Sequence, residues 1–287
     1  MRILVTGATG EVGRRFVPRL LRRASSRDTV RVVVRDERRA GALAALGAEV
    51  VTGDLRDATA VDGALKGADA VVNIAAAFRG VPDEEMWSVN RDAAVALGRA
   101  ALRAGTARFV QVSTNLAYGA GRGRPLTEDD PTVPGGQLWG AYAQSKAGAD
   151  EGLLALHRAH GLDVRTAVLP FVYGEGDPHL AEAMGRAGGW AATQRLATVH
   201  HADVAQGLLR LLYASEAAGR RYNVGDDAPV TAVDLHRIHG VPVPPDLAGR
   251  TDPDPWYGQM STLRIRDELG FRPLYPSVWT ARDAGAL

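Results

Sequence analysis

The chain has 287 residues, 46% of them hydrophobic, enough to bury one large core or one and a half. Lys and Arg (34) nearly balance Asp and Glu (33), and the formal net charge of +1 argues against nucleic acid or an anionic membrane surface as partner. With no cysteine, the chain has no disulfides, no cysteine nucleophile and no thiolate metal site.

The opening Met1-Arg2-Ile3-Leu4-Val5-Thr6-Gly7 reads as a buried strand where a signal peptide would carry its charged and apolar regions. Charges interrupt every apolar run before membrane-spanning length, so the expected setting is cytoplasmic. In chain order, short apolar runs at 3–5, 30–34, 49–51, 70–74, 109–112 and 164–169 predict strands. Segments of helical period follow at 38–46, 86–103 and 141–160. Runs without polar alternation suggest strands buried on both faces, and their alternation with helices predicts a doubly wound parallel-sheet α/β fold of Rossmann type. Beyond Pro170 the pattern breaks up, with a helix near 204–212 and a strand near 221–224. Pro242, Pro244, Pro245, Pro253, Pro255, Pro273 and Pro276 argue for loops and short elements rather than a second core. The expected division is a dinucleotide-binding domain of 1–170 plus 200–228 and a small substrate lobe of 171–199 plus 229–287.

Thr6-Gly7-Ala8-Thr9-Gly10-Glu11-Val12-Gly13 follows the first strand and opens the first helix. Glycines there let the chain turn tightly and a pyrophosphate approach the backbone, while the helix start offers unpaired N–H groups. Gly7, Thr9, Gly10, Glu11, Val12 and Gly13 are therefore candidate phosphate contacts. The second strand ends Val34-Arg35. An acid at that point accepts the ribose hydroxyls of NAD, whereas an arginine accommodates the 2′-phosphate of NADP. Arg35 with Arg38 forms a candidate phosphate clamp and favours NADP(H). NAD(H) is the alternative, with Asp36 as its acid if the strand ends one residue later. Asp54, followed by Leu55, stands where a carboxylate meets the adenine amino group; its other reading is a helix cap, a part Asp57 also suits.

Tyr142-Ala143-Gln144-Ser145-Lys146 sets a phenol and an ammonium one helical turn apart. A neighbouring ammonium lowers a phenol's pKa and makes proton exchange with a carbonyl or alcohol practicable. Ser113 and Thr114 close the preceding strand, at the carboxyl edge where ligands bind in such sheets.

With these motifs the chain resembles the extended short-chain dehydrogenase/reductases of the NAD-dependent epimerase/dehydratase group. The likeness continues through Asn73-Ile74-Ala75-Ala76-Ala77, Val89-Asn90, Pro170-Phe171-Val172-Tyr173-Gly174, His200-His201-Ala202-Asp203 and Tyr222-Asn223-Val224-Gly225. It implies that Thr114 binds the substrate oxygen, with Ser113 as the fallback, that Tyr142 is the acid/base, and that Lys146 binds nicotinamide ribose while tuning the tyrosine. Ala75, Ala76 and Ala77 would line the cofactor groove and Pro170 would meet the nicotinamide. Asp203 would cap a helix, and no metal is implied. Relatives pair through helices corresponding to 86–103 and 141–160, which implies a homodimer. Dehydratases of the group carry an Asp-Glu pair after the threonine; here Asn115-Leu116 stands there, and leucine exchanges no proton. The short 174–199 segment also suits a smaller, less anionic substrate. The expected function is an NADP(H)-dependent reductase of a small ketone or aldehyde. The alternatives are a cofactor-retaining sugar or nucleotide-sugar epimerase and, from another class, a non-catalytic NADP sensor. Trp139 and Trp190 are candidate floors of an apolar substrate pocket, and Glu128-Asp129-Asp130 reads as a solvated loop.

Overall fold

In the computed structural model, residues 1–25, 27–133 and 140–287 are described. Trp139 lies outside them. The first half alternates β1 (Arg2–Thr6), α1 (Glu11–Arg23), β2 (Thr29–Val34), α2 (Gly41–Ala45), β3 (Glu49–Thr52), α3 (Ala58–Leu65) and β4 (Ala70–Asn73). A continuous helical stretch follows: α4 (Asp83–Met86), a π-helical segment (Trp87–Ala93) and α5 (Ala94–Arg103). Then come β5 (Arg108–Thr114), α6 (Ala141–His160) and β6 (Val164–Leu169).

The central sheet runs β10-β6-β5-β4-β1-β2-β3, where β10 is Arg220–Asn223 and the order is given by hydrogen bonding. Every neighbouring pair in it is parallel. This is a Rossmann-like doubly wound sheet. Alternate side chains face opposite layers: Ile3 and Val5 pack with Phe16, Val17 and Leu20 of α1 and Leu208, Leu211 and Leu212. Leu4, Val71 and Phe109 pack on the other face with Leu65, Leu97, Leu153 and Leu156. Parallel strands thus bury both faces, which is why their sequences lack polar alternation. The strand order reverses between β1 and β4, opening a crevice at their carboxyl ends.

The remaining elements are β7 (Phe171–Tyr173), α7 (His179–Ala187), β8 (Arg195–Leu196), β9 (Thr198–His200), α8 (His201–Tyr213), β11 (Val230–Thr231), α9 (Ala232–Ile238), α10 (Leu263–Leu269) and α11 (Val278–Asp283). They correct one expectation. Tyr173, Leu180, Ala187, Val230, Leu235, Val278 and Ala281 form a hydrophobic cluster of their own, so the proline-rich tail contributes helices to a small second core. Trp190 packs against that cluster and not on the crevice wall. The prolines fall between these short helices, where they interrupt no helical hydrogen bond. Among the described residues, no helix is long and apolar enough to cross a membrane.

Candidate active site

A cleft of about 540 Å³ runs along the carboxyl edge of the sheet from the glycine loop to α7. Its phosphate end is built by close backbone packing. Gly7 has φ +66°, and a β-carbon there would stand 2.6 Å from the Ala75 nitrogen; one on Gly13 would stand 2.1 Å from the Gly7 carbonyl oxygen. Both glycines are required by the protein itself. Gly10 differs, because a β-carbon there would meet only the Gly7 carbonyl oxygen at 3.4 Å, while Gly10 lines the cleft. Its missing side chain leaves room on the ligand side. Gly10 also begins α1 without a side-chain cap, and Glu11, Val12 and Gly13 line the cleft beside it. A helix start of this kind fits a pyrophosphate.

A buried network fixes this end. Thr6 Oγ1 donates to Asn73 Oδ1 (2.5 Å), the Ala75 N–H donates to Thr6 Oγ1 (3.3 Å), and Asn73 Nδ2 donates to Gln111 Oε1 (2.8 Å). Asn90, in the π-helical segment, accepts from the Ala77 N–H (2.7 Å) and donates to the Ala77 carbonyl (2.9 Å) and Ser145 Oγ (3.1 Å). One buried amide thereby ties the Ala75-Ala76-Ala77 wall to the helix that carries Tyr142. Local π geometry often marks functional sites because it re-aims a side chain.

At the adenosine end, β2 stops at Val34, so Arg35 is the first residue beyond the strand. Arg35 lines the cleft, and Arg38 does not. Arg38 is turned onto Asp36, donating from Nε and Nη2 at 3.0 Å each, and neither residue lies on the cleft wall. Arg39 and Arg56 line the cleft instead, Arg39 reaching the Thr9 carbonyl at 3.3 Å. Both arginines lie on the short 3-10 turn at Glu37–Ala40, which Asp36 caps by accepting the Arg38 N–H. Asp54 and Leu55 line the cleft, but the Asp54 carboxylate is held by Arg56 at 2.6 and 2.9 Å. That guanidinium brings its pKa down to about 2. Asp57 is the residue that caps α3.

Further along, Thr114, Tyr142, Lys146, Leu169 and Pro170 line the cleft together. Thr114 receives the Leu116 N–H at 3.3 Å, and its hydroxyl lies close enough to Tyr142 to favour the phenolate. Burial pushes the Tyr142 phenol up to about 12, with Thr114 acting against it. The expected lowering by Lys146 is thus not the outcome here. Lys146 donates to the Val112 carbonyl. Its burial brings the ammonium down to about 8, opposed by the Asp150 carboxylate. Ser113 lines the cleft but gives its hydroxyl proton to Asp150, so the fallback hydroxyl is already engaged.

A model of the NAD dependent epimerase/dehydratase family matches residues 3–225. The chain belongs to that family. The dTDP-glucose 4,6-dehydratase of Streptomyces antibioticus is 36% identical over 192 residues, covering 62% of this chain and 55% of the relative. The chain thus spans about half the length of the first curated relatives it matches. A 4-hydroxy-2-methyl-3-oxo-4-farnesyl-3,4-dihydroquinoline-1-oxide ketoreductase of Stigmatella aurantiaca is 31% identical over 241 residues, covering 80% of this chain and 70% of the relative. Among solved structures, the dTDP-glucose 4,6-dehydratase DesIV of Streptomyces venezuelae, with NAD and TYD bound, superposes with a TM-score of 0.78. It is 27% identical and covers 99% of this chain and 97% of its own.

In this family member Asn115 is not aimed at chemistry, because its Nδ2 donates to the Gly258 carbonyl at 2.8 Å, and Leu116 is absent from the cleft wall. Asp203 does not cap α8; His200 does, accepting the Ala202 N–H, while Asp203 accepts the Leu274 and Tyr275 N–H groups at 2.6 and 3.0 Å. Glu128 and Asp130 are buried rather than solvated. Glu128 accepts the Asn223 N–H (2.9 Å), and Asp130 takes two bonds from Arg124 (2.7 and 2.8 Å). Phe78, Val172 and His179 line the cleft without having been singled out from sequence. Phe78 sits against the Tyr142 ring, centroids 4.3 Å apart. Only the Asp177-Pro178-His179 run, a turn with a charged partner two residues before a histidine, could have drawn attention to the last of them.

Proposed function

We propose that the chain is an NADP(H)-dependent oxidoreductase that moves hydride between nicotinamide and a carbonyl or secondary alcohol of a small molecule. The observation that carries this reading is the Thr114–Tyr142 hydroxyl pair in the cleft, followed by Asn115 and Leu116 where neither side chain can shuttle a proton into it. A phenol held near 12 is protonated at neutral pH, so Tyr142 carries the proton that a substrate oxygen would receive. Thr114 orients the substrate oxygen, and Tyr142 delivers the proton as negative charge develops on that oxygen. Lys146, one turn along α6, supplies the positive charge that offsets the phenolate left behind. Gly10 and the start of α1 would hold the pyrophosphate, Ala75 to Ala77 the groove, and Pro170 the nicotinamide end. A nicotinamide dinucleotide, when bound, supplies or accepts the hydride.

Arg35 and Arg39 on the adenosine wall favour a 2′-phosphate, whereas Asp36, already held by Arg38, is not on that wall. The NAD bound by DesIV weighs on the other side. Equilibrium binding of NADPH against NADH tests the choice. The expected preference is about tenfold or more for NADPH, lost in Arg35→Ala, from one charge-assisted phosphate contact. Equal affinities unaffected by Arg35→Ala contradict it. The likeness to the Stigmatella aurantiaca ketoreductase supports reduction, and the dehydratase relatives support a sugar nucleotide. Turnover without added nicotinamide would favour the cofactor-retaining epimerase.

A further inference from the structure

On the small-lobe side of the cleft, an imidazole is held in place by a buried carboxylate. His179, the first residue of α7, lines the cleft with Tyr142, Pro170 and Val172. Its Nδ1 lies 3.0 Å from Asp177 Oδ1, which also accepts the His179 N–H at 2.9 Å. The Asp177 side chain is wholly buried, and its second oxygen meets His201 Nε2 at 2.7 Å. His201 Nδ1 is buried without a hydrogen-bond partner among the described residues. His201 must therefore donate through Nε2 to Asp177 and keep its lone pair on Nδ1, a neutral ring, in agreement with the downward shift that burial gives it. The negative charge of Asp177 remains for His179, whose pKa is raised chiefly by that hydrogen bond. Phe171 meets the His179 ring edge-on at 6.2 Å, fixing its plane. Nε2, on the edge away from Asp177, is the ring nitrogen that Asp177 does not engage.

The other charges around this ring are matched. Arg79, on the loop leading from β4 and in the left-handed region (φ 46°), lies 4.8 Å over the Phe78 ring and donates to Glu182 of α7 at 2.8 Å. Arg15 approaches Asp177 from behind at 4.0 Å. A non-glycine residue held at positive φ stores strain that the surrounding contacts must sustain. Here those contacts join the Phe78 loop to α7, one turn beyond His179.

We propose that His179, oriented by Asp177, is a substrate-anchoring residue that donates from Nε2 to an anionic oxygen group, a carboxylate, carried by the substrate apart from its reacting carbonyl. This rests on the oxidoreductase reading and names the substrate class within it: an oxo acid. An Asp-oriented imidazole is a fixed donor, and when protonated it discriminates for a charged acceptor over a neutral one. It also gives the cleft two anchoring points on opposite lobes, Thr114 with Tyr142 for the reacting oxygen and His179 for the acid, so that only substrates spanning both are correctly placed.

The test compares benzaldehyde with its 2-, 3- and 4-carboxylated forms, as substrates with NADPH and as ligands of the NADP-loaded protein by calorimetry. Wild type should favour at least one carboxylated isomer by about tenfold in KM or Kd, the worth of one charge-assisted hydrogen bond. In His179→Gln the preference should fall to about one. Asp177→Asn should reduce it and lower the titration midpoint of the His179 ring by NMR, a shift that a merely structural histidine would not pass on to substrate preference. Wild-type preference should also fade as pH rises through the midpoint of that ring. No carboxylate preference in wild type, or an equal preference in His179→Gln, overturns the proposal. Carboxylate-dependent binding that needs His179, without turnover of any aldehyde, sustains the anchor and removes the reductase reading instead.

Discussion

Tyr142 and Lys146 were legible as a phenol and an ammonium one turn apart, but their protonation was not. That depends on burial and on neighbours 28 to 34 positions away in sequence, Thr114 beside Tyr142 and the Val112 carbonyl bonded to Lys146, which no local pattern contains. With the phenol near 12 and Lys146 near 8, the proton sits on tyrosine at pH 7, the form that the proposed reduction requires. Tyr142→Phe should lower kcat by about 10²- to 10⁴-fold, the usual worth of a positioned acid, and leave NADPH affinity within error by fluorescence titration. Ser113→Ala should act differently. It removes the donor to buried Asp150, so it should cost about 1–3 kcal/mol in denaturant unfolding while the Tyr142-dependent step survives. If Ser113→Ala abolished turnover at unchanged stability, the roles given to Ser113 and Thr114 would be exchanged.

At the scale of elements, the glycine loop was readable because its spacing reports backbone geometry directly. Its three glycines nevertheless do different things. Gly13→Ala drives a methyl into the Gly7 carbonyl, and should lower stability by about 1–3 kcal/mol or prevent folding. Gly10→Ala meets no such wall, and should keep the melting temperature while weakening dinucleotide binding. Equal losses of stability in the two would contradict the division between fold and ligand. Arg38 and Arg39 show where the reading gave out: spacing along the chain does not say which of two adjacent arginines meets the cleft, and here it is Arg39. Asn90 was visible only as part of a motif. Its bonds to Ala77 and Ser145 make Asn90→Ala a test of the coupling between the groove and α6. The expected result is a loss of about 1–3 kcal/mol in stability for the stranded Ala77 groups, together with a higher KM for cofactor.

For the whole molecule, the parallel sheet was legible because strands buried on both faces leave unbroken apolar runs. The second core beyond Pro170 was not, since it is assembled from Tyr173, Leu180, Val230, Leu235 and Val278, short pieces scattered over a hundred residues of proline-rich sequence. Its junction with the sheet carries a buried acid. Asp226, bonded to Thr198 Oγ1 at 3.0 Å, is pushed up to about 7 by burial, reinforced by nearby Asp203. A carboxyl raised in the folded state contributes stability that is fully present below its ordinary value and is lost as pH rises through about 7. Asp226→Asn should therefore raise the melting temperature more above that pH than in mild acid, and a gain independent of pH would contradict this account. The division of labour across the cleft has one most direct test. NADPH oxidation should be followed with ketones and aldehydes, oxo acids included, for wild type and Tyr142→Phe. One NADPH consumed per carbonyl reduced, lost in the variant, is the predicted result. Turnover with no net consumption of nicotinamide, or consumption undiminished in Tyr142→Phe, would contradict it.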